Sequence, residues 1–228
     1  MKFPGKTGPL LAVTGPEGQG GVTMADDTQL DPKVHEGRVR AHYLPLLAKH
    51  GDTNLVVDFQ HAGNHQARFS ILAGIDDISE VSLLDVGCGI GHFAGWLAER
   101  DFRGEYIGID LLPEMVERAR NAHPGFRFER ADLLDPKSHY VADYVMSSGI
   151  FHLGDQDFMH RMIAAMFASC RKGVAFNSLS SWDLSGSQGH FFCADPLKTL
   201  DFCRGLSSQI LLRHDYLPHD FTIFMFRD

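Results

Sequence analysis

The run Leu83-Leu84-Asp85-Val86-Gly87-Cys88-Gly89-Ile90-Gly91-His92-Phe93 sets an apolar entry, an acid and three alternate glycines ahead of a helix start. An apolar strand that turns through glycines into a helix binds an adenosine-containing cofactor. One glycine makes the tight turn, one lets backbone approach the ligand, and one lets helix and strand pack closely. Asp85, Gly87, Cys88, Gly89 and Gly91 are therefore expected at a cofactor site. The next apolar strand, Glu105 to Asp110, ends in an acid about 20 residues past the glycines, where a carboxylate accepts hydrogen bonds from ribose hydroxyls. A third strand, Phe126 to Ala131, runs into Asp132 and Leu133. A fourth, Ala142 to Gly149, ends in small residues that include Ser148.

The spacing is Gly-x-Gly-x-Gly, led by Asp85 and followed by those three strands in order. It resembles the class I S-adenosylmethionine (SAM)-dependent methyltransferases, over about Leu30 to Asp228. The resemblance implies SAM as cofactor, with Asp132 near the adenine amino group and Leu111, Leu133 and Ser148 lining the site. It also points to Gln66 and Arg68, ahead of the glycines. In several small-molecule methyltransferases, the ubiquinone-pathway O-methyltransferases among them, an arginine so placed binds the methionine carboxylate. An arginine can hold a carboxylate bidentately. The implied fold is α/β: a Rossmann-like seven-stranded sheet in the order 3-2-1-4-5-7-6, strand 7 antiparallel, helices on both faces. The closing run Leu212 to Phe226 is similar to an uncharacterised bacterial subgroup of the family. The implied reaction is methyl transfer from SAM to an oxygen or nitrogen of a small molecule, for instance a sugar or a secondary metabolite. The alternatives are a non-catalytic SAM-binding regulatory module and a nicotinamide-dependent dehydrogenase. The glycine spacing and the terminal hairpin speak against the dehydrogenase.

On the acceptor side, His152 follows the fourth strand and His219 sits in the last turn. Either can take a proton near neutral pH, as a general base does. Phe151, Asn177, His190, His214 and Tyr216 are expected to wall the acceptor pocket, with Trp182, Phe191 and Phe192 in the adjoining loop. The turn also holds Asp215 and Asp220, and the hairpin brings it to the cofactor face. The residues after the fourth strand, Ser147-Ser148-Gly149-Ile150-Phe151, lack the Asn-Pro-Pro-Tyr pattern of enzymes that methylate adenine or glutamine amides. No Cys/His spacing suggests a metal.

Positioning these groups requires alternating strands and helices, which implies a parallel sheet covered on both faces. Helices are expected over Pro32–His50, with Asp31 as N-cap and Pro45 as a kink or break, and over His61–Ala73, Ile90–Arg100, Pro113–Ala122 and Asp155–Cys170. A short one follows Asp195-Pro196. Strands are expected over 81–86, 105–110, 126–131, 141–147, 173–178, 207–214 and 220–227. The last two are too close for a crossover helix and must form a hairpin. Residues 1–30 are rich in glycine and proline and have no apolar period, which predicts a disordered extension before a methyltransferase domain over 31–228. Met24 looks like a more natural start than Met1. The 228 residues carry a net charge of −8. That argues against broad binding to nucleic acid or an anionic membrane. The four cysteines form no Cys-x-x-Cys pair, as in a reduced, cytoplasmic protein.

Overall fold

The structure, a computed structural model, describes residues 31–51, 53–57, 62–183, 189 and 191–228. The expected extension over 1–30 lies outside the described residues. The chain forms α1 (Pro32–His50), a 3-10 turn (Asn54–Val57), α2 (Ala62–Ala73), β1 (Ser82–Val86), α3 (His92–Ala98), β2 (Glu105–Asp110) and α4 (Pro113–Ala122). It continues with β3 (Arg127–Arg130), β4 (Ala142–Ser148), α5 (Gln156–Ala168), β5 (Cys170–Leu179), α6 (Pro196–Arg204), β6 (Gln209–Leu217) and β7 (Asp220–Phe226). The seven strands form one sheet in the order β3-β2-β1-β4-β5-β7-β6. The first five are parallel, and β7 is antiparallel to both β5 and β6. This is the expected order.

Local chemistry sets the helix starts. Asp31 accepts from the backbone N–H of Lys33 at 2.7 Å, and Asp155 from that of Phe158 at 2.8 Å. Asp195 accepts from that of Leu197 at 2.9 Å, and Pro196 opens the helix. A short acid at N-cap supplies an acceptor that the first turn lacks, and proline at the first position gives up no needed donor. Pro45 neither splits nor ends α1, which is continuous through His50. One residue range differs more: β5 begins at Cys170, inside the expected end of the preceding helix, because α5 stops at Ala168.

Successive strand residues point to opposite faces. Leu84, Val145 and Val174 pack on one face with Met159, Ile163 and Phe221. Their neighbours Leu83, Met146 and Ala175 pack on the other with Phe69, Phe93 and Trp96. A third cluster joins Leu47 of α1 to Ile90, Leu112 and Met115, with Val39 and Tyr43 against it. It seats α1 across the carboxyl ends of β1 and β2. Ion pairs tie its rim, Arg40 to Glu114 at 2.8 Å and Glu36 to Arg130 at 3.1 Å. Among the described residues, no helix is long and apolar enough to cross a membrane.

Candidate active site

A cavity of about 440 Å³ opens at the carboxyl ends of β1 to β5, beneath α1. That size lies within the roughly 300–1,000 Å³ of ligand sites. Its floor is the glycine turn. Gly87, Gly89 and Gly91 all have positive φ, +74°, +55° and +86°, a region that side chains rarely enter. The N–H groups of Gly87 and Cys88 both donate to the carbonyl of Ile109, at 2.8 and 3.0 Å, which pins the turn to the end of β2. A Cβ on Gly87 would lie 2.2 Å from Ile150 Cγ2. Gly87, Cys88 and Gly89 line the cavity. Gly91 instead does the packing: a Cβ there would meet His123 at 2.9 Å and Phe128 at 3.2 Å.

Two carboxylates frame the turn. Asp110 accepts from Gly89 N–H and Leu112 N–H, each at 2.9 Å. Burial pushes its carboxyl up, against those backbone bonds. A carboxylate has about four lone-pair sites, so acceptor capacity remains for a ligand's hydroxyls. Asp85 lies under the turn, 4% exposed, and accepts from the Tyr106 hydroxyl at 2.6 Å. Burial pushes it up to about 7; the Tyr106 hydrogen bond opposes the rise and the nearby Asp110 charge adds to it. A positive charge brought beside such a carboxyl would favour its ionised form. Asp132, Leu111, Leu133 and Ser148 also line the cavity. The cavity thus offers an apolar strip, a carboxylate with spare acceptor capacity and a buried acid side by side.

Arg68 lines the cavity from α2, and its Nε donates to Asp220 at the start of β7. Both side chains are buried. Gln66 does not join it. Two positions apart on a helix face different ways, and Gln66 is exposed.

On the acceptor side the structure brings together Phe151, His152 and His219, all of which line the cavity. His152 Nδ1 lies 2.8 Å from the carbonyl of Gly149, and Nε2 lies 3.1 Å from the Tyr43 hydroxyl. Asn177, His214 and Tyr216 are not at the wall. Asn177 is fully buried, and its Oδ1 accepts from Gly149 N–H at 3.0 Å, so it holds the turn that carries His152. His214 bonds Ser180 Oγ at 2.7 Å and Tyr216 bonds Thr222 Oγ1 at 2.8 Å. Both stand on β6, the edge strand, and β7, β5 and β4 separate it from β1 and its glycine turn. Asp215 is spent on an exposed pair with Arg213. His190 lies outside the described residues.

The sequence reading missed the contribution of α1. His35, Val39 and Tyr43 line the cavity, at the four-residue spacing that puts side chains on one helix face. Asn64 and His65 of α2 join them. Burial, then the neighbouring His92 and Arg68, bring His65 down to about 3, so its ring stays neutral.

Residues 83–173 match a family model described as a methyltransferase domain. A Mycobacterium tuberculosis protein named as a methyltransferase is 36% identical over 155 residues, covering 62% of this chain and 90% of that protein. A trans-aconitate 2-methyltransferase of Sinorhizobium fredii is 30% identical over 112 residues, 48% of this chain and 43% of its own length. Among solved structures, magnesium protoporphyrin IX methyltransferase from Synechocystis PCC 6803 with bound SAM superposes with a TM-score of 0.66 at 14% identity. That match covers 89% of this chain and all of the other. The N-methyltransferase NodS from Bradyrhizobium japonicum with S-adenosylhomocysteine gives 0.62 at 13% identity, over 82% and 98%.

Proposed function

The chain belongs to the class I SAM-dependent methyltransferases and is an enzyme of that kind rather than a regulatory module, and on that premise we propose that it methylates an oxygen of a small molecule, with His152 taking the acceptor's proton. When bound, SAM supplies the methyl group as a sulfonium electrophile. Asp85, Asp110, Asp132, Arg68 and the glycine turn hold and orient it. Arg68, kept in place by Asp220, is suited to the methionine carboxylate.

The observation that carries the oxygen reading is the setting of His152. A hydroxyl acceptor must lose a proton as it attacks, and a positioned base accelerates that step. An amine can shed its proton to water after transfer and needs no base. His152 shares the cavity with the glycine turn, and its ring is held at both nitrogens. A base whose ring is oriented by a fixed carbonyl is ready before the acceptor arrives. His219, the other cavity histidine, stands at the hairpin beside the Arg68–Asp220 pair and serves the pocket wall. The apolar residues Phe151, Leu153, Leu179 and Phe191 line the same cavity as His152. They exclude water from the transfer path, which favours the acceptor over hydrolysis.

The test is turnover of methyl-labelled SAM with hydroxyl compounds, for wild type and His152→Asn. The expected loss is roughly 10²–10⁴-fold in kcat, with calorimetric SAM affinity unchanged. A His152→Asn enzyme that keeps full kcat refutes the assignment.

A further inference from the structure

We propose that His35 of α1 is a specificity-determining residue for the cofactor: it donates a hydrogen bond to a ring nitrogen beside the amino group of the adenine, while Asp132 takes the amino group itself. This role rests on the placement of that amino group at Asp132 and adds the partner that α1 supplies.

Three contacts set the position of His35. It lines the cavity, yet it is only 6% exposed. The next residue, Glu36, accepts from Arg130 at 3.1 Å. This turn of α1 is therefore tied to the last residue of β3, two positions before Asp132. The His35 ring lies against that of Phe158, with centroids 4.1 Å apart and planes 33° from parallel. Phe158 is fixed in turn, by the cap at Asp155 and by Gly154, where a Cβ would come within 2.4 Å of the phenyl ring. The imidazole is thus held between α1 and the first turn of α5 before a ligand arrives.

The ring has hydrogen-bonding capacity that the fold does not use. Nδ1 is sealed from solvent and has no hydrogen-bond partner among the described residues. Buried polar atoms are nearly always paired, and an orphan calls for a cause. Burial lowers the pKa of the ring. The Asp132 charge opposes this, Arg38 adds to it, and Asp155 and Arg161 act as weaker opposites, so the shift is downward. The imidazole is then neutral near pH 7 and carries one N–H. A donor sealed from both water and any acceptor is among the rarest defects of a folded chain, so that proton sits on Nε2. Nε2–H is a donor with no acceptor among the described residues.

The ligand chemistry follows from the same corner of the cavity. Leu133, Phe158 and Met162 line it with apolar surface. Asp132 spends Oδ1 on the N–H of Leu134 at 2.8 Å, which leaves acceptor capacity on its other oxygen. A carboxylate oxygen and an imidazole N–H over an apolar slot suit a flat ring with an amino donor next to a ring-nitrogen acceptor. Adenine has that pair twice, since N1 and N7 flank its amino group.

Calorimetry on the full chain tests this with S-adenosylhomocysteine and its 1-deaza and 7-deaza analogues, each of which replaces one flanking nitrogen by C–H. For at least one analogue, wild type should bind roughly 10-fold more weakly than to S-adenosylhomocysteine. His35→Phe keeps a ring against Phe158 and removes the donor. It should weaken S-adenosylhomocysteine by a similar factor and bind that analogue equally well. Wild-type affinity in His35→Phe overturns the role, as do analogues that wild type binds like the parent. A loss of the same factor for all three ligands also overturns it, because the residue then only packs. His35→Leu repeats the comparison, so that a misfolded phenylalanine variant does not decide it. Asp132→Ala reads the underlying placement separately. If S-adenosylhomocysteine binds that variant as it binds wild type, the adenine is not at Asp132 and the role of His35 falls with it. If Asp132→Ala weakens binding and His35→Phe does not, the placement stands and only His35 is wrong.

Discussion

Replacing Asp85 with asparagine should change how stability depends on pH, by an amount the structure sets. Asp85 is 4% exposed, and burial holds its carboxyl near 7 against an ordinary 3.8. In the unfolded chain it ionises near the ordinary value, so between about pH 4 and 7 the folded state binds more protons. The group's contribution is therefore whole below pH 4 and is lost as pH rises through 7. The full span corresponds to roughly 4 kcal/mol, of which about 2–3 kcal/mol falls between pH 5 and pH 8. Asparagine keeps an oxygen for the Tyr106 hydroxyl and removes the titration. The stability of Asp85→Asn relative to wild type should then rise by about 2–3 kcal/mol from pH 5 to pH 8. Urea unfolding followed by circular dichroism, without cofactor, measures this. The difference cancels the histidines and the carboxylates distant from Asp85, which both proteins share. A relative stability that stays flat with pH would show that Asp85 ionises normally in the fold, and the burial argument would be wrong. The same carboxyl should release a proton when SAM binds near pH 6, because a cationic ligand favours the ionised form. Calorimetry in two buffers of different ionisation enthalpy detects that release in wild type and its absence in Asp85→Asn.

Gly89→Arg should abolish SAM binding with little loss of fold, since φ is +55° and the residue lines the cavity; wild-type affinity by calorimetry would misplace the cofactor. Asp110→Ala should weaken SAM by about 1–3 kcal/mol, and an unchanged dissociation constant would place the ribose elsewhere. Asp220→Asn should destabilise the chain by about 3–5 kcal/mol, because it leaves the Arg68 charge buried and unmatched. The double replacement Arg68→Met, Asp220→Leu should recover most of that stability in urea melts and none of the SAM affinity. Recovered affinity would remove Arg68 from the cofactor site.

What the sequence made legible is what local chemistry determines. The caps at Asp31, Asp155 and Asp195 each act within three residues. The glycine turn needs three positive φ values in five residues, so its residue types are constrained. The strand order came with the family resemblance and with the short last connection, which only a hairpin satisfies. The illegible part depends on distance along the chain. Arg68 and Asp220 are 152 residues apart, and no period links them. Tyr43 and His152 are 109 apart. Asn177 gives no sign in the sequence that its amide turns inward to hold residue 149 instead of facing a ligand. The hairpin residues were expected at the cofactor face because the turn points there. His219 does reach the cavity and Asp220 pairs with Arg68 at its wall, whereas Asp215 and Tyr216 bond within the hairpin and His214 bonds Ser180.

The two ends of the cavity therefore differ in construction, and that difference governs what relatives can teach about this enzyme. The proposed cofactor end is built mainly from the tips of β1 to β4, within the 83–173 stretch that matches the family model, with Arg68 of α2 outside it. Its geometry comes from backbone turns and carboxylates, which change little when surrounding side chains change. The proposed acceptor end draws Tyr43 from α1, Phe191 from the loop after β5 and His219 from the hairpin. All three lie outside that stretch. Phe151 and His152 belong to both, placed by the turn after β4, and His152 is also bonded to Tyr43 of α1. A relative matched over the strand tips alone carries no information on Tyr43 or Phe191, so the acceptor must be read from α1, from the late segments and from their contact with His152.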